Sequence, residues 1–302
     1  MRKSSAALSV LALSALALTG CSAAPSVAGA SCERDSSSNL ADAVDVTGDI
    51  GAAQIDFAAP LRTDGAEYAD LIVGDGTAVT TDNQTSIVAM TLLNGETGEP
   101  IVGPSVTLFN ATEAARTPGM EAIVPCVTQG SRVVYSLPTN DLGEAAAAQI
   151  GMGLDENVIV VTDFIYVALP KAEGAAVFNT QRGLPSVVRA ADGRPGIIIP
   201  DDAAPTEVVT ETIIEGEGEV VGDGLPMFHA TAVGWNDRSV LTTTWDEPTA
   251  TDPGILPAEV QTALQQAKVG SQLLVVVPDP GNQSAQAWVV DVLGIIPQEL
   301  SN

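Results

Sequence analysis

Apolar residues along this chain gather in short runs of about six residues, each bounded by a Gly-rich turn or a Pro. One run follows Gly130-Ser131 and ends at Pro138, and a matching run follows Gly270-Ser271 and ends at Pro278. Such a run predicts a β-strand, because Pro cannot continue the hydrogen-bond ladder. Two more blocks recur in the same order: Leu71–Gly76 with Ile213–Gly218, and Val160–Phe164 with Trp288–Val292. Repeat offsets of 140, 142 and 128 residues predict two tandem domains, since solenoid repeats run to roughly 20–50 residues.

Each copy is predicted to form a mostly antiparallel sheet with one short helix packed across it, an α+β fold. Val158–Leu169 is apolar almost throughout, which predicts a central strand covered on both faces. Gly119–Thr128 is predicted to be the helix of the first copy. In the second copy, Pro257 precedes apolar residues at helical spacing and predicts a helix that Gly270 ends. The other predicted strands are Val44–Gly48, Ile55–Phe57, Tyr68–Val73, Thr85–Leu93, Leu273–Val277 and Ala287–Ile295.

The length of 302 residues suits two domains of roughly 100–150 residues each. Apolar residues make up 45% of the chain but aromatic residues only 4%, so Val, Ala, Leu and Ile must build both cores. Val187-Val188 and Ile197–Ile199 lie within a Pro-rich stretch and predict a strap that packs along a domain rather than a free tether. The predicted boundaries are residues 1–20 for an export signal, 21–43 for a flexible tether, 44–170 for the first domain, 171–206 for the linker and 207–296 for the second domain.

The first 21 residues have the pattern of a bacterial lipoprotein signal. Arg2 and Lys3 precede an apolar run, Ala6–Leu18, that is shorter than the roughly 20 residues a membrane-spanning helix needs. The run ends in Leu18-Thr19-Gly20-Cys21, which predicts lipidation of Cys21. The alternative is an ordinary secretory signal that happens to contain a Cys. The expected location is the outer face of the bacterial cytoplasmic membrane, with the protein held by its lipid anchor.

Two cysteines remain after lipidation, Cys32 and Cys126. An even number of cysteines outside the membrane predicts a disulfide, here between the start of the chain and the first domain. A metal or redox site is not expected, because the pair lacks Cys-x-x-Cys spacing and His229 is the one histidine of the sequence. We expect no cofactor.

The formal net charge of −26 excludes nucleic acid and anionic lipid as partners, because a polyanion repels both. A solvated acidic surface that keeps the protein soluble explains this charge. A calcium site is the alternative, although the sequence contains no Asp-x-Asp-x-Asp-Gly loop.

The order of these blocks resembles the FKBP-type peptidyl-prolyl cis-trans isomerases, in particular bacterial lipoproteins that carry two such domains. The resemblance covers about residues 70–169 and 211–296 and rests on the Gly-Asp-Gly-like turn, the Gly-Ser turn, the Pro-ended strand and the closing strand with Val-Asp. It implies two tandem FKBP-like domains. It also implies a dry groove in which aromatic walls hold a prolyl ring while the preceding amide rotates over a barrier of roughly 20 kcal/mol.

The resemblance places the groove of the second domain at positions where most of the family's aromatic residues are missing. The family's Tyr falls at Ala230 or Thr231, its Phe-Asp pair at Leu241-Thr242, and its Trp at Val260. In the first domain the corresponding positions are Met90 and Met120. Trp235 and Trp245 are either groove walls or ordinary packing residues, Trp288 reads as a core residue, and His229 as a structural histidine. No catalytic residue is assigned.

Three functions follow as hypotheses. The first is a membrane-anchored prolyl isomerase and folding factor with weak or lost catalysis. The second is a non-catalytic peptide-binding or chaperone-like lipoprotein that keeps only the fold, and the third is a structural spacer. The expected partners are proline-containing or unfolded exported polypeptides, and the protein is expected to be a monomer. The count of missing aromatics favours the second hypothesis, whereas the resemblance favours the first.

Overall fold

The computed structural model describes Cys32, Arg34 and residues 38–116, 122–178, 181–278 and 284–297. These residues form mostly antiparallel sheets with a few short helices, the predicted α+β class. One hairpin and a five-stranded sheet make up the N-terminal half: β1 (Val44–Thr47), β2 (Gln54–Phe57), β3 (Glu67–Ile72), β4 (Ser86–Asn94), β5 (Pro100–Phe109), β6 (Arg132–Pro138) and β7 (Asn157–Val167). A second hairpin and a six-stranded sheet make up the C-terminal half: β8 (Ala175–Ala176), β9 (Ser186–Arg189), β10 (Pro195–Ile198), β11 (Val209–Glu215), β12 (Leu225–Gly234), β13 (Val240–Thr243), β14 (Gln272–Val277) and β15 (Gln286–Ile296).

The two sheets repeat one strand order. In the N-terminal sheet the order is β3-β6-β7-β4-β5, and in the C-terminal sheet it is β11-β14-β15-β12-β13, with β8 added beside β11. The register repeats as well, because Tyr68 lies opposite Tyr135 as Thr210 lies opposite Val275. A β-bulge interrupts both first strands at the same place, between Asp70 and Ile72 and between Thr212 and Ile214. The sequence repeat is therefore a repeat of backbone structure.

The tight contact between two glycine turns explains why the sequence blocks recur. Gly130 and Gly270 have φ near +90°, a conformation that favours Gly. A Cβ on Gly74 would lie 2.0 Å from the carbonyl oxygen of Gln129, and one on Gly216 would lie 2.3 Å from that of Val269. The following serines close both turns, since Ser131 and Ser271 each accept a hydrogen bond from the facing glycine N–H at 3.0 Å.

The helices differ between the halves. In the C-terminal half, α5 (Ala258–Gln266) begins directly after Pro257, as predicted, and buries Val260 and Leu264. In the N-terminal half the predicted helix at Gly119–Thr128 is wrong in its described part, because residues 122–128 form turns. Pro125 cannot donate a helical hydrogen bond, and Cys126 has a positive φ of 66°. The other described helices are single turns or little more: α1 (Leu40–Ala43), α2 (Ala111–Ala114), α3 (Thr139–Leu142), α4 (Glu144–Gln149) and a 3-10 turn at Pro253–Ile255.

Each sheet buries both faces. We call the face that α5 covers, and its equivalent in the N-terminal half, the inner face, and the opposite face the outer face. A hairpin lies on each outer face: β1–β2 packs on the N-terminal sheet, and β9–β10 packs on the C-terminal sheet. The predicted linker at 171–206 thus contains the hairpin that covers the second sheet, and Val187, Ile197 and Ile199 pack into that outer core.

The two halves meet in a small apolar contact around Ile87, Met227 and Leu293. Backbone hydrogen bonds cross it, since Leu169 N–H donates to the Leu293 carbonyl at 2.8 Å and Thr249 N–H donates to the Asn83 carbonyl at 2.9 Å. Of the helices formed by the described residues, none is long and apolar enough to cross a membrane.

Candidate functional site

The predicted groove positions on the inner face of the C-terminal sheet belong to a closed core. Ala230 of β12 is 1% exposed and Val260 of α5 is 0% exposed, and both pack in one cluster with Trp288. The inner face at Ala230 and Val260 is therefore filled by the protein itself and offers no apolar slot for a prolyl ring.

The other predicted groove residues lie elsewhere. Leu241 is 47% exposed and Thr242 is also exposed, both on the edge strand β13. Thr231 is buried, and its hydroxyl lies 3.0 Å from that of Thr243 across the strand pair. Trp235 packs on the outer face, and its indole N–H donates to the Asp202 carbonyl at 3.1 Å.

Trp245 stacks on His229, with ring centroids 4.7 Å apart. A Cβ on Gly193, in the turn between β9 and β10, would lie 3.1 Å from the Trp245 ring. Both tryptophans that were candidates for groove walls thus pack beneath or beside the outer hairpin. The structure brings Ala230 and Val260 together and places Trp235 and Trp245 away from them.

In the N-terminal half, Met90 is partly buried and packs against the inner core. Met120 lies outside the described residues, as does Cys21. Cys32 and Cys126 are each disulfide-bonded. Their predicted pairing with each other stays a prediction.

Burial lowers the pKa of His229 to about 4, and the charge of nearby Arg194 also lowers it. A hydrogen bond with the Thr244 backbone raises this pKa but does not offset the effect of burial. The imidazole is therefore neutral at pH 7. Its Nδ1 lies 3.1 Å from the Thr244 hydroxyl, which holds the ring in place. A neutral, stacked and hydrogen-bonded imidazole at this position serves packing rather than proton transfer.

Each outer face contains one buried aspartate at equivalent places in the closing strand. Asp163 forms a two-point ion pair with Arg132, with nitrogen–oxygen distances of 2.6 and 2.8 Å, and both side chains are 1% exposed. Asp291 instead accepts a hydrogen bond from the amide of Gln272 at 2.6 Å. Arg189 lies 3.9 Å from Asp291 and is partly exposed. Burial raises the pKa of Asp291 to about 6, against the hydrogen bonds from Ala172 and Gln272.

These aspartates hold the chain that covers them. The Gly51 N–H donates to Asp163 at 2.6 Å, and the Ala172 N–H donates to Asp291 at 2.9 Å. The Val-Asp signal in the closing strand marks this aspartate in the sequence but predicts no role for it. Its position among buried apolar residues was the available signal, because a buried carboxylate requires partners.

The cavities that open on the described part of the C-terminal half include two clefts. One, of about 450 Å³, lies between α5 and the strands β11 and β14. The other, of about 380 Å³, lies where the halves meet and is lined by Tyr166, Leu169, Glu173 and Glu217 among others. Neither is lined by the predicted groove residues. Among the residues that the structure describes, no group of three or more His, Cys, Asp or Glu side chains is placed to hold a metal ion.

The sequence matches no family model and no curated protein. Among solved structures, it is similar to the three FKBP domains of wheat FKBP73, with 15% identity and a TM-score of 0.32, over 77% of this chain and 95% of that chain. It is also similar to a peptidyl-prolyl cis-trans isomerase from Pseudomonas syringae pv. tomato, with 16% identity and a TM-score of 0.29, over 34% of this chain and 76% of the other. For FkpA from Escherichia coli the values are 17% identity and a TM-score of 0.27, over 34% of this chain and 48% of that chain. Similarity at these levels assigns neither a family nor an activity.

Proposed function

We propose that this chain is an extracytoplasmic lipoprotein of two tandem FKBP-like domains that binds exported polypeptides, with prolyl isomerase activity weak or lost. A site of this kind needs no nucleophile or metal, because it acts through a dry groove and positioned backbone groups. The proposal therefore depends on whether such a groove exists.

The observation that carries the loss of catalysis is the closed inner face at Ala230 and Val260. An X-Pro bond unaided takes tens of seconds to rotate, and acceleration requires a site that holds the twisted amide better than the planar one. Leu241 and Thr242 lie on an exposed edge strand, and Trp235 and Trp245 pack on the outer face. Because these side chains lie apart, a surface that holds a peptide would bind it without accelerating isomerisation of its X-Pro bond.

Two parts of the proposal rest on the sequence. The anchor rests on Leu18-Thr19-Gly20-Cys21 directly after a short apolar run. We expect Cys21→Ser to release the protein into the medium or leave it unprocessed, which fractionation and mass spectrometry would show. A Cys21→Ser protein that stays processed and membrane-bound would contradict the anchor. The tandem arrangement is supported by the repeated strand order, register and bulge.

The test of function compares isomerisation and binding on one preparation. We expect the rate for an Ala-Pro-containing tetrapeptide to stay within about twofold of the uncatalysed rate, since Ala230 and Val260 lie in a closed core. We also expect the protein to bind a reduced, carboxymethylated proline-containing client in a pull-down. Acceleration typical of an active isomerase would show that a groove opens in solution, and failure to bind the client would favour a structural spacer.

A further inference from the structure

The N-terminal half contains a groove that the chain itself fills. Arg34 lies against β3, where its guanidinium makes two hydrogen bonds of 3.0 Å with the Asp70 carboxylate. The guanidinium carbon lies 4.9 Å from the centre of the Tyr68 ring, in cation–π geometry. The same side chain donates to the carbonyls of Ile123 and Pro125. The Arg34 side chain thus bridges β3 and the 122–126 turns.

The C-terminal half has the same groove without an occupant of this kind among the described residues. Strand register makes Thr210 and Thr212 the equivalents of Tyr68 and Asp70. The Val79 N–H donates to the Val127 carbonyl, and the Val221 N–H donates to the Ala267 carbonyl. These equivalent hydrogen bonds align the 122–127 turns with the end of α5. On that alignment, Ala263 corresponds to Ile123 and Gln266 corresponds to Cys126. Thr210, Thr212, Ala263 and Gln266 all line the cavity of about 450 Å³.

The shape of this cavity follows from the substitutions. Thr210 replaces a tyrosine whose ring packs on the inner core of the N-terminal half. The smaller side chain leaves open the volume that Tyr68 and Arg34 occupy in the first copy. Leu273 and Ala263 give the groove an apolar floor and wall, and Thr210 and Thr212 place hydroxyl groups along it.

The charge of the groove selects its occupant. Glu259 of α5 lines the cavity, and none of the lining residues is Lys or Arg. The lining also includes the last turn of α5, where helix carbonyls carry partial negative charge. In a chain of net charge −26, a cationic side chain is the complementary one. The occupant of the equivalent groove is itself an arginine, paired there with Asp70, and because Thr212 replaces that aspartate, Glu259 is the acidic group that faces this groove.

We propose that the groove between α5 and β11 binds an extended polypeptide segment of a partner protein that carries a Lys or Arg side chain. The segment would lie along β11 and direct its cation toward Glu259, in the first turn of α5. This site is separate from the closed inner face at Ala230 and Val260, so it does not depend on isomerase activity.

The test is a fluorescence-anisotropy titration of the full-length protein in detergent micelles. The probe is a labelled, end-capped peptide, Ser-Val-Thr-Arg-Val-Thr-Ser, and its matched control has Glu in place of Arg. We expect the Arg peptide to bind about tenfold or more tightly than the Glu peptide, because like charges oppose each other in the groove. Equal affinity for the two peptides, or binding of neither, would overturn the proposal.

Variants locate the site. Thr210→Tyr should weaken the Arg peptide about tenfold by filling the groove as Tyr68 does. Glu259→Gln should weaken it about two- to fivefold, the range of a partly exposed ion pair. Glu247→Gln removes an exposed carboxylate outside the groove and should change affinity less than twofold.

Amide hydrogen exchange on the unaltered protein locates the site without a substitution, so it does not depend on the variants folding. Bound Arg peptide should slow amide exchange in β11 and α5. Slowed exchange confined to other strands, or wild-type affinity in folded Thr210→Tyr, would place the site elsewhere and overturn the proposal.

Discussion

The N-terminal and C-terminal halves share a backbone plan but stabilise it by different chemistry. In the first half, an Arg132–Asp163 ion pair lies on the outer face. Arg34 fills the groove beside β3, where it pairs with Asp70. In the second half, Gln272 replaces the arginine and the equivalent groove is open. Strand order and glycine turns therefore define the fold, whereas the buried polar pairs and the groove can differ between the halves. The open groove belongs to the half in which α5 is a complete helix.

We expect the cysteines of the first half, which the second half lacks, to contribute most to the free energy of unfolding. If Cys32 pairs with Cys126, the bridge closes a loop near 100 residues and stabilises the fold by about 4–5 kcal/mol in the chain-entropy model. We expect the double variant Cys32→Ser, Cys126→Ser to lose about that much free energy of unfolding in urea, and a non-reduced digest to show the two peptides linked. Reductant should have no further effect on the double variant. Two freely alkylated thiols in the native protein would contradict the pairing.

Arg132→Gln makes the first outer face like the second. It leaves Asp163 buried without its cation, so we expect a loss of about 3–5 kcal/mol in the free energy of unfolding. Denaturant titration measures it. Arg62→Gln is the matched control, because Arg62 pairs with Glu96 on the exposed surface and should leave the unfolding midpoint unchanged. An unfolding midpoint that shifts as little as in the control would contradict this expectation. It would show that a glutamine can satisfy Asp163 without a cation, as Gln272 donates to Asp291.

The stability of the second half should depend on pH through Asp291 and His229, which lie opposite each other on neighbouring strands and whose pKa values shift in opposite directions. Burial raises the pKa of Asp291 from 3.8 to about 6, so its contribution to stability is greatest below pH 3.8 and is lost as pH rises through about 6. Burial lowers the pKa of His229 from 6.5 to about 4, so its contribution is present above pH 6.5 and is lost as pH falls toward 4. Each is worth about 3 kcal/mol, so the two nearly cancel between pH 6 and 4.

Single variants separate these contributions. Relative to the double variant Asp291→Asn, His229→Gln, we expect Asp291→Asn alone to lose stability on acidification from pH 6.5 to 4. We expect His229→Gln alone to gain stability over the same interval. Urea unfolding at several pH values measures both slopes. Parallel curves for the two single variants would show that neither group is buried as described.

Much of the fold follows from local pattern. The predicted strands at Leu273–Val277 and Ala287–Ile295 are confirmed almost residue for residue by β14 and β15. Pro257 with its apolar spacing correctly predicts α5, and Val158–Leu169 correctly predicts a central strand. These elements are long, apolar and bounded by Gly or Pro, so local chemistry and tertiary packing agree.

The elements that sequence reasoning missed depend on long-range contacts. Strand β5 contains Gly103 and Pro104, which break the alternation, yet pairing with β4 around a bulge keeps it extended. Arg34 lies in a Ser-rich stretch that reads as a tether, and its partners Asp70 and Ile123 are distant in sequence. The groove at α5 was missed because it depends on the absence of a large side chain at Thr210, which only the alignment of two strands reveals.

The outer hairpins have a practical consequence for cutting the chain. Each hairpin precedes in sequence the five repeated strands of the sheet that it covers, so β9–β10 emerges before β11–β15 during synthesis or export. A fragment that begins at Glu207 lacks Leu184, Val187 and Ile199, and it exposes the apolar outer face that they cover. A fragment that begins at Lys171 retains the hairpin and the Ala172 N–H bonded to Asp291. We therefore expect a stable C-terminal fragment to begin near Lys171, and fragments cut after the predicted linker should aggregate.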